Sequence, residues 1–285
     1  MVPFAWSLRR QREFDKCPRS FYYRYYGARG GHEADVADRR TRRLYLCREH
    51  LNCEQYLQRV VNLAMRERFY APEDAPFATL FQQAERILRR EFEIMLTGAR
   101  DANRRLPMLE EIADPALRPE TLRSELLGKL EARCRELMDG DWETVANVPA
   151  PCRRHLPEVV EIRVGELVCH APVVLSWQKN GTTFLVEGVR HVPEGDAAEL
   201  AALLHRYFVL SLPGADAGKT VSLAFDDAGK LAEFGADLEV SSALRKLRAG
   251  ADRLAAFHDL PEETYPMNKE ACEGCFFRRE CPSGD

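Results

Sequence analysis

Residues 159–189 read VVEIRVGELVCHAPVVLSWQKNGTTFLVEGV, and this stretch decides the fold. Valine is frequent in it, and apolar and polar residues alternate in short runs, which is typical of β-strands. Gly165 and the Asn180-Gly181 pair stand where turns belong, and Asn-Gly is a strong hairpin signal. The stretch predicts three consecutive strands, over residues 159–164, 167–175 and 182–189.

The residues on both sides of these strands predict further helices and one more strand. Upstream, three apolar stripes at helical spacing lie within residues 54–140, and Ser7 is expected to cap a helix that runs to Cys17. Downstream, the patterns predict a helix over 196–212, a strand over 220–225 and a helix over 241–257. This order of elements implies a mixed β-sheet with helices on its faces.

The composition is that of a folded domain. The 285 residues are 45% hydrophobic and 30% charged, which excludes a disordered tail, a collagen-like repeat and a small disulfide-stapled toxin. No apolar run is long enough for a transmembrane helix, and the basic N-terminus is unlike a secretory signal. We therefore expect a cytoplasmic protein, in which paired cysteines more often hold a metal than a disulfide.

The charge is distributed unevenly along the chain. Residues 1–70 carry 15 Lys and Arg against eight Asp and Glu, a net charge of +7, whereas the rest of the chain carries −11. Aromatic residues are dense among the arginines of residues 1–30. Such a segment favours contact with nucleic acid or an acidic partner. Solvated helix faces with aromatic core residues explain the same pattern.

The C-terminus carries the strongest local motif. Cys272, Cys275 and Cys281 follow a C-x2-C-x5-C spacing, with Gly274 between the first two. Three thiolates this close can hold a zinc ion or an iron–sulfur cluster, and either needs a fourth ligand. The spacing alone does not decide whether the fourth ligand is Cys17, Cys47 or Cys53.

Other motifs favour structural roles. The segment 214–220, GADAGKT, is similar to a phosphate-binding loop, but only three residues separate its glycines and it joins a helix to a strand, so we expect a turn. Asp226-Asp227 before Gly229 is also expected to form a turn. Cys134 and Cys169 lie in apolar patterns and are expected in the core.

Residues 6–27, WSLRRQREFDKCPRSFYYRYYG, together with the C-terminal cysteines resemble the PD-(D/E)XK nuclease superfamily. The branch they resemble carries iron–sulfur clusters and includes RecB-type and CRISPR-associated cluster exonucleases. The resemblance implies one α/β domain over 1–285 with a restriction-endonuclease-like mixed sheet flanked by helices. It implies a [4Fe-4S] cluster on Cys17, Cys272, Cys275 and Cys281. The implied segments are an N-terminal cluster arm (1–53), a helical insert (54–148), the α/β core (149–260) and a cysteine tail (261–285).

The catalytic motifs of the superfamily are incomplete in this chain. By the resemblance, Asn62 stands at the motif histidine, Val173 at the metal-binding aspartate and Val189 at the lysine, while Glu187 keeps its carboxylate. Mg²⁺ needs oxygen ligands, and the missing lysine would orient the nucleophile or stabilise charge. Arg190 points to the other face of its strand and is a doubtful substitute.

Three functions follow as expectations. The first is a catalytically degenerate nuclease-like protein with a [4Fe-4S] cluster, which binds DNA or serves as a scaffold for a partner nuclease or helicase. The second is an active Mg²⁺- or Mn²⁺-dependent deoxyribonuclease with migrated ligands such as Glu161, His170 and Glu187. The third is a zinc-stapled protein-interaction module. We favour the first, and none of the three involves a membrane.

Overall fold

The computed structural model describes residues 4–33, 37–72, 79–97, 106–113, 118–189, 192–213 and 219–282, which form a mixed α/β fold. The N-terminal part contains β1 (Ala5–Trp6), α1 (Leu8–Lys16), α2 (Pro18–Tyr22), a π-turn (Tyr23–Gly27) and α3 (Arg39–Arg48). The predicted first helix is confirmed, and the Ser7 hydroxyl caps it by accepting a hydrogen bond from the Arg10 N–H. In the described ranges, no helix combines the length and apolarity that a membrane span needs.

The predicted helical region is also confirmed. β2 (His50–Leu51) precedes it, and it contains α4 (Cys53–Phe69), α5 (Leu80–Leu96), β3 (Met108–Leu109), α6 (Pro119–Asp139) and α7 (Trp142–Ala146). Capping boxes begin α4 at Asn52 and α5 at Thr79. In each, the capping side chain accepts a hydrogen bond from the backbone N–H three residues later, and the glutamine at that later position accepts one from the N–H of the capping residue. The apolar stripes that predicted these helices face one another in a shared core.

The C-terminal half contains most of the strands. The order is β4 (Val159–Val164), β5 (Leu167–Pro172), β6 (Leu175–Lys179), β7 (Thr182–Val189), α8 (Gly195–Leu210), β8 (Thr220–Phe225), β9 (Leu231–Phe234) and α9 (Val240–Ala255). Asn180 and Gly181 have φ angles of 51° and 77°, so they form the predicted tight turn between β6 and β7. The strands expected over 182–189 and 220–225 are present with the expected bounds.

The single strand expected over 167–175 is wrong. β5 ends at Pro172, which has no N–H to continue a ladder. The next two N–H groups diverge, because Val173 donates to the Glu158 carbonyl and Val174 donates to the Val186 carbonyl. The chain thereby leaves the three-stranded sheet β1-β5-β4 and enters the four-stranded sheet β6-β7-β8-β9. β7 and β8 are parallel, whereas β6–β7 and β8–β9 are antiparallel.

A hairpin that the sequence patterns did not predict completes the second sheet. The Asp226 carboxylate accepts the N–H groups of Ala228 and Lys230, and Gly229 has a φ of 71°. The expected turn at Asp226-Asp227 is therefore confirmed, and β9 is the strand that follows it. The segment 214–218 lies outside the described residues, but α8 precedes it and β8 follows it, as expected from a helix-to-strand connection.

Two hydrophobic cores lie on either side of the strands. The first contains the inner faces of α4–α7 and one face of the four-stranded sheet, including Val186 and Phe225. The second contains α8, α9 and the aromatic residues of α1 and α2, packed against the three-stranded sheet and Leu185. Cys134 and Cys169 are buried in these cores, as expected.

Candidate metal pocket and basic cleft

Side chains of the N-terminal and C-terminal segments hold the two ends of the chain together. After α9 the chain forms short 3-10 turns at Glu262–Thr264, Lys269–Cys272 and Arg278–Glu280. Arg19 on α2 donates to the Tyr265 carbonyl at 2.9 Å, and Asn268 donates to the Lys16 carbonyl at 2.9 Å. These bonds position the C-terminal turns over the α1–α2 junction.

Four cysteines from the two ends line one pocket at this junction. They are Cys17, Cys272, Cys275 and Cys281. Cys17 lies between α1 and α2 in an extended conformation, and Pro18 immediately after it begins α2. The Cys275 N–H donates to the Cys272 carbonyl at 3.3 Å, so the two residues bracket one turn. Gly274 has a φ of 67°, a backbone conformation that glycine adopts more readily than other residues.

The thiols of this pocket are close enough to influence one another. Burial raises the pKa of Cys275, and the Cys17 and Cys272 thiols add to the rise, while hydrogen bonds from the Phe277 backbone and the Ser20 side chain oppose it. A cationic centre among these thiols would stabilise their anionic form, which is the form that binds metals.

Cys47 and Cys53 do not line this pocket. Cys47 packs behind the pocket wall, against Tyr23 and Phe277, in a small apolar cluster that Cys275 and Cys281 also contact. Cys53 begins α4, and its N–H donates to Glu111 at 3.0 Å. Of the three candidates for the fourth ligand, the structure therefore brings only Cys17 into the same pocket as the C-terminal three.

The donor set suits a metal centre, and the pocket is small. Four thiols around one pocket are the ligand set of a structural zinc ion or of an iron–sulfur cluster. The free volume is about 20 Å³, comparable with the space for one water molecule. Within the described ranges, no three His, Cys, Asp or Glu side chains are already grouped closely enough to hold a metal ion.

A larger cleft of about 820 Å³ opens beside the cysteine pocket. Cys17, Ser20, Cys275 and Phe277 line both, so the cysteine pocket forms one wall of the cleft. The lining contains three carboxylates and twice as many cations. The cations are Arg9, Arg12, Lys16, Arg24, Arg59 and Arg66.

One face of α4 forms the floor of the cleft. Gln58, Asn62 and Arg66 follow one another at four-residue spacing, which places them on the same side of the helix. Gln58 donates to the Val189 carbonyl at 2.6 Å, and Arg66 donates to the Val174 carbonyl at 3.2 Å. These two bonds attach α4 to the ends of the strands and leave Asn62 between them.

Asn62 and Glu187 face the same cleft with unsatisfied acceptors. In the described part of the chain, neither Asn62 Oδ1 nor Glu187 Oε2, both buried, has a hydrogen-bond partner. The Asn62 amide packs against the β7 backbone next to Glu187, because a Cβ placed on Gly188 would stand 3.2 Å from Asn62 Nδ2. Burial raises the pKa of Glu187 to about 7, although the charge of Arg12 opposes the shift.

The other residues aligned with the superfamily's catalytic positions lie elsewhere. Val173 is fully buried in the second core, and Val189 is buried in the first, so only Asn62 and Glu187 of the four line the cleft. The neighbouring Val174, rather than Val173, faces the cleft. Arg190 and His191 lie outside the described residues.

The migrated ligands expected for an active nuclease are only partly together. His170 on β5 lines the cleft with Glu187. Its Nε2 lies 3.9 Å from Oε2 of Glu161, its cross-strand neighbour on β4, but Glu161 is largely exposed and is not part of the lining. The three therefore do not surround one point.

The sequence patterns did not single out Gln58, Arg66 or Arg12. The available signal for the first two was a polar stripe at positions i, i+4 and i+8 of an otherwise apolar helix. For Arg12 the signal was weaker, because it is one of many arginines in a basic segment and its approach to Glu187 depends on the tertiary fold.

Comparisons of the chain with protein-family models, with curated proteins and with solved structures found no match.

Proposed function

We propose that this protein is a catalytically degenerate relative of the PD-(D/E)XK nucleases that holds a [4Fe-4S] cluster and binds DNA in the basic cleft. The observation that carries the proposal is the shared pocket of Cys17, Cys272, Cys275 and Cys281. These residues stand at opposite ends of the sequence, and core packing alone gives no reason for four thiols to converge.

The arrangement of the strands supports the proposed nuclease-like core. An antiparallel pair, β6–β7, is followed by α8 and then by β8, which returns parallel to β7. Glu187 near the end of β7 reaches the cleft, which is where the resemblance places the active site. We propose that this sheet is a restriction-endonuclease-like core.

The cleft supports binding rather than cleavage. Arg24 and Arg59 pair with Glu13 and Glu91. The cations of α1, Arg9, Arg12 and Lys16, are therefore the ones that suit a phosphate backbone. Glu187 is the only residue with an anionic ligand among the four positions that the resemblance marks as catalytic, and a single carboxylate is a poor Mg²⁺ site. The lysine position is held by the buried Val189, which cannot stabilise charge in a transition state.

The metal content tests the cysteine pocket. We expect the anaerobically purified protein to contain iron and sulfide in equal amounts and to absorb visible light, and Cys17→Ser to lose both. Cys152→Ser is the matched control, because Cys152 is half-buried but does not line the pocket. A protein that binds no metal in any preparation would refute the cluster.

A zinc site is the second candidate, because the small free volume of the pocket suits a single ion. A colourless preparation with one zinc per chain that depends on Cys17 would support it. The bound group, iron–sulfur or zinc, would supply a link between the two chain ends, which is a structural role.

DNA binding and nuclease activity are tested separately. We expect affinity for single-stranded DNA to fall as salt rises, and Arg12→Gln to reduce the slope of log K against log salt by about one. Arg245→Gln, on the exposed side of α9 and outside the cleft lining, is the control. No binding at low salt would refute the proposal. Mg²⁺- or Mn²⁺-dependent cleavage that Glu187→Ala abolishes would refute degeneracy.

A further inference from the structure

Among the described residues, three that line the cleft have a buried side-chain oxygen without a donor: Glu13 on α1, and Asn62 and Glu187 at its floor. Asn62 Oδ1 and Glu187 Oε2 are buried, and no side chain or N–H of the described residues satisfies them. A buried acceptor without a partner is costly in a folded protein, and its presence in a cleft indicates a ligand group that supplies the missing donor. The Gln58 and Arg66 bonds to strand carbonyls hold α4 in place, so the Asn62 amide stays at this position.

We propose that Asn62 and Glu187 recognise the amino group of a nucleobase from a single strand bound in the cleft. This inference rests on the proposed DNA binding and names the chemical group that the cleft recognises. Carboxylate and amide oxygens both accept hydrogen bonds from exocyclic amino groups, as when Glu accepts from cytosine N4. In a duplex one hydrogen of that amino group pairs with the opposite base, so only a single strand offers both hydrogens to the two acceptors.

The walls of the cleft suit the rest of such a ligand. The cations Arg9, Arg12 and Lys16 line the side formed by α1 and can follow the phosphates. Phe276 and His50 also line the cleft, and their rings meet edge to face with centroids 6.3 Å apart. Flat rings of this kind are surfaces on which bases stack.

A metal ion is the competing occupant of the two acceptors. Oxygen ligands would suit Mg²⁺, but Asn62 and Glu187 provide only two, and Val174 at the adjacent strand end has no ligand atom in its side chain. An amino group, which has two hydrogens to donate, satisfies both oxygens without further ligands. The nucleobase amino group therefore accounts for the acceptors with the residues that are present.

The test compares fluorescein-labelled dC12 and dT12 by anisotropy at pH 8 and low salt, since cytosine carries an amino donor where thymine carries the O4 acceptor. The protein is expected to bind dC12 about tenfold more tightly than dT12. Glu187→Gln, whose amide also donates, should lower this ratio to about one or below. Glu161→Gln, which removes a carboxylate outside the cleft, should leave the ratio unchanged. Matched rC12 and rU12 should show the same preference, because the base edge is the same.

Each result bears on a different claim. If neither oligonucleotide binds, the proposed DNA binding fails together with the inference. If both bind with equal affinity, or if Glu187→Gln leaves the ratio at the wild-type value, the amino-group recognition is wrong while DNA binding stands. Heat from titration of Mg²⁺ alone that disappears in Glu187→Gln would assign the acceptors to a cation and overturn the inference.

Discussion

Replacing Glu262 with alanine should destabilise the protein, because this carboxylate joins the two ends of the chain. Its Oε1 accepts hydrogen bonds from Tyr23 at 2.8 Å, from Arg40 at 2.8 Å and from Arg19 at 3.3 Å. Its side chain is 17% exposed and that of Arg19 is 11% exposed, so these contacts are largely screened from water. Arg40 is 44% exposed, and its contact counts for less.

The size of the effect follows from these contacts. A hydrogen bond to a charged group contributes about 1.5–3 kcal/mol. Two well-screened bonds and one exposed bond, partly replaced by water after the substitution, give a loss of about 3 kcal/mol. For a chain of this size that corresponds to a fall in the melting midpoint of roughly 6 °C.

The measurement is thermal or urea unfolding of wild type, Glu262→Ala and Glu263→Ala at equal metal content. Glu263 lies on the same 3-10 turn but is exposed, so its variant should stay within about 0.5 kcal/mol of wild type. If Glu262→Ala melts as the control does, the carboxylate does not join the chain ends and the reasoning fails.

The pH dependence of the same variant provides an independent check. Burial raises the pKa of Glu262, but hydrogen bonds from Arg40 and Tyr23 outweigh it and hold the pKa below the usual value. The stabilising effect is therefore complete above the unfolded pKa of about 4.3 and is lost as pH falls through the lower folded value. The difference between wild type and Glu262→Ala should be full at pH 7 and should shrink as the solution is acidified below pH 4.

Three further outcomes are expected. Gly229→Ala should unfold or fail to accumulate, because its Cβ would clash with the Glu136 carbonyl oxygen. Gly165 has a similar positive φ but open space around it, so Gly165→Ala should lower the free energy of unfolding by only about 1 kcal/mol, measured by chemical denaturation. Equal losses of stability in the two variants would contradict the clash. Glu187→Gln should raise the free energy of unfolding at pH 8 by about 3 kcal/mol, because burial raises the pKa of Glu187 to about 7. The cost of the carboxylate to the folded state grows from the unfolded pKa of about 4.3 up to about pH 7 and is complete above it. The gain should be nearly absent at pH 4.5, and a gain that does not vary with pH would contradict this. Cys17→Ser, or metal removal by a chelator, should lower the melting midpoint of the purified protein, because the proposed centre would close a loop of most of the chain. An unchanged midpoint would contradict a stabilising centre.

Local patterns predicted the elements whose structure depends on nearby residues. The helices α4–α6 follow from apolar stripes at 3.6-residue spacing, and the β6–β7 turn follows from Asn180-Gly181. The break after Pro172 was not predicted, because Val173 and Val174 continue the apolar run and only their hydrogen-bond partners, which are distant in sequence, show that the strand ends there. β9 was missed for a related reason, since four residues give too short an alternation to distinguish a strand from a loop.

The candidate site was predictable only in part. The spacing of the three C-terminal cysteines indicates a common centre. The spacing left Cys17 as one candidate among three for the fourth position, the resemblance selected it, and the fold places it in the same pocket. The approach of Asn62 to the β7 backbone beside Glu187 was not predictable from spacing, because it depends on how α4 packs against the end of β7. Hydrogen bonds from Gln58 and Arg66 determine that packing.

The shared wall of the pocket and the cleft connects the two proposed roles. Cys17 and Cys275 line both, and the α1 cations that face the cleft directly precede Cys17 in the sequence. A centre bound to these thiols would restrain the C-terminal end of α1 and so the position of Arg12 and Lys16 relative to Glu187. Loss of the centre would leave the cations on the protein but less well placed around a strand. A bound centre can therefore contribute to nucleic-acid affinity without contacting the nucleic acid, since it reduces the ordering that binding would otherwise require.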